Sequence, residues 1–111
     1  MYEKAYNKAE ELLQVLEIPL YFQEADDTPE IYAIWDLISE NEGSLGDDDV
    51  YLTPKLSVTI WHQNIREGIK KYDALSRHMK DNDVYLSSSI SHPVTNGYRG
   101  KNFIFLMEVF D

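Results

Sequence analysis

The sequence predicts a single α+β domain in which two helices pack on one face of a mainly antiparallel sheet of four or five strands. Three observations predict it. The length of 111 residues suits one domain. Two segments carry apolar residues at helical spacing, and the segments between them carry alternating or β-branched residues typical of strands. The predicted order over residues 1–111 is helix, strand, strand, strand, helix, strand, strand.

The composition fits a packed core but excludes several kinds of site. Apolar residues make up 43% of the chain, with eight Tyr, four Phe and two Trp. No cysteine is present, which excludes disulfides, thiolate metal sites and a Cys nucleophile. The net charge of −10 disfavours binding to nucleic-acid phosphates or anionic lipid. Two interpretations of this acidity stay open: it maintains solubility, or it repels DNA that passes nearby.

The first predicted helix covers residues 2–17 and ends before Pro19. Its apolar positions form one stripe, and packing of that stripe on the protein's own sheet is favoured over binding of a partner. The stripe consists of Ala5, Ala9, Leu12, Leu13 and Leu16.

Three strands are predicted next, at residues 20–24, 31–39 and 50–62. The last two should pair as a hairpin with the acidic loop 40–49 at its tip. Pro54 predicts an edge or a bulge within the third strand. The strand 31–39 is apolar on both faces, with Tyr32, Ile34 and Ile38 opposite Ile31, Ala33, Trp35 and Leu37. Such a strand is either central in its sheet or covered on its second face by a partner.

A second helix should start at Asn64, which with Glu67 has the spacing of a capping box, and should run to about residue 80. Its predicted apolar face is Ile65, Ile69, Tyr72, Leu75 and Met79. Strand 84–91 should direct inward Val84, Leu86, Ser88 and Ile90. The Asn96-Gly97 pair predicts a hairpin turn before a last strand at 102–110.

No pattern of reactive side chains predicts a catalytic or metal-binding site. Asp47, Asp48 and Asp49 lack the alternating ligands and later Glu of a Ca²⁺ loop, so a solvated loop is favoured. The spacing of His62, His78 and His92 fits no metal site, and each is expected to be exposed or at an interface. We therefore expect no catalytic residue, metal or cofactor, and a protein that is not an enzyme. The apolar run at 103–107 is far shorter than the roughly twenty residues of a membrane span, and no signal peptide is visible.

The predicted interface residues are Trp35, Trp61, Asp47, Asp48, Asp49, Arg99 and Lys101. Two helices cover only one sheet face, so the other face would expose aromatic residues, and exposed apolar patches usually mark interfaces. The alternative is that a loop or sheet curvature covers them. Residues 98–102 form a basic patch that is either an ordinary hairpin loop or a salt-bridge donor to the acidic loop of a neighbouring subunit.

The order of elements resembles the tail-terminator or tail-completion proteins of long-tailed bacteriophages, also called head–tail joining or neck proteins. The resemblance rests on the order of elements. An N-terminal helix is followed by Ile18-Pro19 and a short strand, a Pro-led aromatic strand at 28–35, an acidic loop, a strand at 56–61 that ends in Trp61, and a closing helix and two strands. The resemblance covers most of the chain and includes no signature motif, so no functional residue is carried over.

The resemblance implies a homo-oligomeric ring, commonly a hexamer, that caps the tail tube and joins it to the head connector. DNA would pass through this ring without specific binding, and the protein would be made in the bacterial cytoplasm and lie in the virion. The alternative function is a small acidic adaptor or DNA-mimic that binds a host protein. A small-molecule enzyme is the least favoured reading.

Overall fold

A computed structural model of the chain describes residues 2–38, 51–52 and 54–110. It contains two α-helices, a 3₁₀ turn at Gln14–Leu16 and seven strands. The helices are α1 (Tyr2–Leu13) and α2 (Ile65–Asp81), and the strands are β1 (Leu20–Phe22), β2 (Ile31–Ile38), β3 (Tyr51–Leu52), β4 (Lys55–His62), β5 (Tyr85–Thr95), β6 (Tyr98–Leu106) and β7 (Val109–Phe110).

Five of the strands form one sheet in the order β1-β2-β4-β6-β5, with both helices packed on one face. Only the pair β1 and β2 is parallel, so the sheet is mixed but mainly antiparallel. β3 and β7 form a separate two-stranded sheet. The predicted α+β class and the order of elements are therefore confirmed.

The α1 stripe packs on this sheet as predicted. All five of its apolar residues are buried, and they form part of the main core: Ala5, Ala9, Leu12, Leu13 and Leu16. The helix ends with a 3₁₀ turn, after which Glu17 takes a left-handed conformation and its N–H bonds the Gln14 carbonyl. Such a left-handed residue is a common way to end a helix, and it redirects the chain into β1.

The sheet has two different faces because side chains alternate along each strand. The face under the helices, called the helix face, carries Ala33, Trp35, Leu37, Leu56, Val58, Ile60, Phe103 and Phe105, all of them buried. The opposite face, called the open face, carries the residues between them. The two faces of β2 are those that the sequence predicts, and β2 pairs with β4 from Ile31↔His62 to Ile38↔Lys55.

The predicted strand 50–62 is two strands in two different sheets, so its prediction as one strand was wrong. β3 pairs with β7, whereas β4 lies between β2 and β6. The change of sheet coincides with buried Pro54, whose missing N–H prevents a continuous ladder. Its carbonyl still accepts a hydrogen bond of 3.1 Å from the N–H of Met107. The predicted acidic loop 40–49 lies outside the described residues.

α2 begins where the sequence predicts. The Asn64 side chain accepts hydrogen bonds from the N–H groups of Arg66 and Glu67 at 3.0 and 3.1 Å. The predicted apolar face is only partly buried. Leu75 and Met79 are fully buried, whereas the exposed fractions of Ile65 and Ile69 are 52% and 47%.

β5 and β6 form a longer hairpin than predicted, joined at Asn96-Gly97, where both residues have the positive φ of a type I′ turn. The basic patch 98–102, predicted as a loop, is part of strand β6. The prediction of an inward stripe on strand 84–91 was also wrong. Val84 is buried, but the three later members, Leu86, Ser88 and Ile90, are exposed. A bulge between Leu86 and Ser88 interrupts the alternation, so these two residues lie on opposite faces.

Candidate functional site

The open face is a candidate interaction surface, because neither of the two described helices lies on it. Cross-strand pairing assigns its positions in four rows. The row nearest the β5–β6 turn contains Tyr32, Trp61, Gly100 and His92, and the next contains Ile34, Thr59, Asn102 and Ile90. The third contains Asp36, Ser57, Ile104 and Ser88, and the last contains Ile38, Lys55, Leu106 and Tyr85.

Aromatic rings dominate one end of this face. Tyr32 contacts the rings of Tyr21 and Tyr98 edge to face, with centroid separations of 6.0 and 5.7 Å. The Trp61 ring stacks on His92 at 5.3 Å. Tyr98 also ties the hairpin to the start of β2, since its hydroxyl lies 2.7 Å from the carbonyl oxygen of Thr28. All five strands of the sheet thus contribute a ring to one aromatic row.

The centre of the open face is polar but internally satisfied. The Asn102 amide donates to Ser57 Oγ at 3.0 Å and to Thr59 Oγ1 at 2.9 Å. On either side of these residues lie Ile34 and Ile104, which are both half-buried. An aromatic row, aliphatic residues and a satisfied polar cluster form a combination that a protein partner can cover without leaving polar groups unpaired.

The two predicted tryptophans have different positions. Trp35 lies on the helix face at 3% exposure and contacts the rings of Tyr6 and Phe22, with centroid separations of 5.0 and 4.8 Å. Its side chain therefore has almost no surface for a partner, because α1 and β1 already cover it. Trp61 lies on the open face and is half-buried. The predicted Asp47, Asp48 and Asp49 lie outside the described residues.

The two predicted basic residues lie on the other side of the sheet. Arg99 pairs with His62 and Lys101 with Ile60, which places both on the helix face, beside α2. The Lys101 ammonium lies 5.5 Å from the centroid of the Tyr72 ring and 5.7 Å from that of Phe103. These separations are within the range of cation–π attraction. The acidic-loop partner that the sequence suggested for these residues stays a prediction.

His62 is buried, contrary to its prediction from the sequence. It was predicted to be exposed or at an interface, yet it is 1% exposed at the end of β4. Its Nε2 is hydrogen-bonded to the Tyr72 hydroxyl, and its Nδ1 has no hydrogen-bond partner among the described residues. Burial lowers the pKa of His62 and raises the pKa of Tyr72, because it disfavours the charged form of each. The alternation of side chains along β4 could have predicted this burial, since His62 is on the same face as the buried positions 56, 58 and 60.

Metal-binding clusters and membrane-spanning helices were sought among the described residues. These residues contain no cluster of three or more His, Cys, Asp or Glu side chains suited to a metal ion. Among them, neither helix is long and apolar enough to span a membrane.

Comparison with known proteins gives no family assignment. The chain matches no protein-family model, and no curated protein matches its sequence.

Proposed function

We propose that this protein is a structural subunit of a homo-oligomeric assembly, and that the assembly acts at the head–tail junction of a bacteriophage or prophage. The single observation that supports an assembly role is the open face. Its rows of aromatic and aliphatic side chains cross four strands, and the two helices lie on the opposite side of the sheet. The phage context comes from the resemblance in order of elements.

The open face has the anatomy of a protein interface. Large exposed side chains stand at its margins, with Ile38 at 39% and Ile90 at 63% exposure. The half-buried Trp61 and the aromatic neighbours of Tyr32 supply ring surface, which is enriched at the energetic centres of interfaces. A subunit that covers this face would bury apolar area while the satisfied Asn102 cluster keeps its own hydrogen bonds.

The charge of the chain sets the conditions for such assembly. A net charge of −10 makes identical subunits repel one another at low ionic strength. Salt screens exposed charges over about 8 Å at physiological ionic strength, whereas apolar burial is not weakened by it. Association is therefore expected to strengthen as salt rises.

Light scattering after size-exclusion chromatography tests the assembly role. We expect oligomers of the wild-type protein that become more populated between low and physiological salt. Ile34→Lys and Ile104→Lys should give monomers, because each places a charge in the middle of the open face. The matched control is Ile65→Lys, which adds the same charge on α2, away from this face. Monomers of wild type at every concentration and salt, also after mixing with tail-tube and head-connector proteins, would reject the proposal.

Deletion of the gene in the phage or prophage tests the location. A ring that stops growth of the tail tube and joins it to the head should, when absent, leave tubes of uncontrolled length and unattached heads in electron micrographs. Virions of normal morphology would rule out this role. A host protein that binds the purified monomer and leaves virion assembly unaffected would instead support the acidic adaptor or DNA-mimic.

A further inference from the structure

A second surface lies on the helix face, in the angle between α2 and the outer strand β5. All eleven residues of β5 are exposed. Leu86 and Ser89 pair with the buried Phe105 and Phe103, so they belong to the helix face, yet they too are exposed. The layer of helices therefore ends at α2 and does not extend over β5.

One stripe of α2 borders this angle along the whole helix. Cavities of about 250 and 330 Å³ lie at its two ends. The α2 residues that line them follow one another at spacings of three or four, which places them on a single side of the helix: Ile65, Ile69, Tyr72, Ser76 and Lys80. β5 runs past the same two cavities, with Val94 at one and Leu86 at the other. We call the surface between this stripe and β5, with one cavity toward each end, the α2–β5 trough.

The walls of the trough carry exposed apolar side chains. Ile65, Ile69, Leu86 and Val94 are between 47% and 58% exposed. They make up half of the large hydrophobic residues that the described part of the chain exposes strongly. Apolar walls of this kind, rimmed by polar groups, mark sites where another chain packs.

The charge of the trough is opposite to that of the protein. The chain has 20 acidic and 10 basic residues. The described residues that line the two cavities nevertheless include Lys80, Arg99 and Lys101 and no Asp or Glu. Such a local reversal of sign favours an acidic partner.

We propose that the α2–β5 trough binds an acidic amphipathic helix of a partner protein. The bound helix would lie beside α2 in the helix layer, place its apolar stripe on Ile69 and Val94, and direct carboxylates toward Lys80 and Arg99. The lining stripe spans sixteen residues of α2, from Ile65 to Lys80, or about 22 Å at the helical rise, so an occupant of about four turns matches its length. This site is distinct from the proposed assembly surface, because the α2 stripe, Leu86 and Arg99 lie on the helix face. The two surfaces meet at the edge of the sheet, where His92, Gly100 and Tyr85 of the open face border the cavities.

Two synthetic peptides of about sixteen residues test the proposal. Both carry Leu at helical spacing in an Ala background, and their flanking positions are Glu in one and Lys in the other. We expect fluorescence anisotropy to show saturable binding of the acidic peptide that is at least about tenfold tighter than that of the basic one. Lys80→Glu/Arg99→Glu should reverse this preference, since the attractive charges become repulsive. Ile69→Ser should weaken binding by roughly tenfold through lost apolar contact.

Ile90→Ser is the matched control. Ile90 is on the same strand and 63% exposed, but it lies on the open face, so its replacement should leave peptide binding unchanged. Thermal melts of all variants should agree with wild type, since every replaced residue is exposed.

An NMR titration decides where and how the peptide binds. Amide shifts that cluster on the lining stripe of α2 and on β5 support the trough. Shifts that cluster on the open face would overturn the proposal, as would equal affinity for both peptides or no saturable binding. New protection of the outer β5 amides against hydrogen exchange would also overturn it, because that result indicates an added strand and not a helix.

Discussion

Gly68 of α2 packs directly against the imidazole of His62 at the end of β4. A methyl group built on Gly68 would lie 2.5 Å from the ring carbons Cγ and Cε1 of His62, closer than carbon atoms can approach. Position 68 therefore requires glycine because a larger side chain would clash with His62. Its backbone conformation does not require glycine, since it lies within a regular helix. This close approach fixes the distance between the start of α2 and the sheet.

Gly68→Ala should destabilise the protein although it replaces glycine with the best helix former. In an open helix interior this change stabilises by about 1 kcal/mol. At this position the methyl group must displace the His62 ring or the helix, and overpacking of this kind costs about 1–3 kcal/mol. Urea unfolding followed by circular dichroism measures the difference.

The control for this prediction removes the ring. In a His62→Ala background, Gly68→Ala should recover its normal helix-stabilising effect, because the space is then vacant. A stabilised Gly68→Ala single variant would contradict the contact between Gly68 and His62.

Burial of His62 also predicts how stability depends on pH. Burial lowers its pKa in the folded state below the value of about 6.5 that it has when unfolded. As the pH falls through this value, the unfolded chain binds a proton that the folded protein does not, so stability is lost on the acid side. His62→Gln should reduce the loss of unfolding free energy between pH 7.5 and about 5. Equal slopes for wild type and His62→Gln would show that His62 takes up its proton equally in the folded and unfolded states.

The sequence alone was sufficient to predict the elements that depend on residues near one another in the chain. The α1 stripe, the β2 faces and the Asn96-Gly97 turn each depend on spacing or on one residue type, and all three are confirmed. The bulge after Leu86 was not predictable, because an added residue in one strand is defined only against its partner strand. The exposure of Ile65 was not predictable either, since helical spacing does not show how far a sheet extends beneath a helix.

The candidate surfaces were predictable only in part. Two apolar faces on strand 31–39 indicated a partner surface, and this pattern led to the open face. The burial of Trp35 depends on α1, which packs on the sheet, and on β1, which pairs with β2, and no local pattern specifies either position. The α2–β5 trough was missed because Arg99 and Lys101 were predicted in a loop, whereas pairing with β4 places them beside α2.

Asn64→Ala should lower stability by about 1 kcal/mol through loss of the cap of α2. The Asn64 side chain accepts hydrogen bonds from two backbone N–H groups that have no partner within the helix. Asn64→Asp should retain both bonds and unfold like wild type, because a carboxylate accepts equally well and favours the positive end of the helix dipole. Urea midpoints decide the outcome, and an unchanged Asn64→Ala midpoint would show that the cap contributes no stability.

Gly100→Ala should disturb the aromatic row of the open face. A methyl group at this position would lie 2.5 Å from Cζ3 of Trp61, so the indole ring must move and its stacking on His92 must change. We expect a loss of about 1–3 kcal/mol in unfolding free energy from overpacking. Trp61 fluorescence should shift in a Trp35→Phe background, where it is the one remaining tryptophan of the two in the chain.

The double variant Gly100→Ala/Trp61→Leu separates the effect of space from the effect of the ring. Leucine lacks the indole atoms that the methyl group would meet, so Gly100→Ala should cost little in this background. If the open face mediates assembly, Gly100→Ala should also weaken self-association in light scattering while the β5–β6 hairpin stays folded. Normal fluorescence, stability and association of Gly100→Ala would contradict the contact, because a ring held against the Gly100 backbone cannot accept a methyl group without moving.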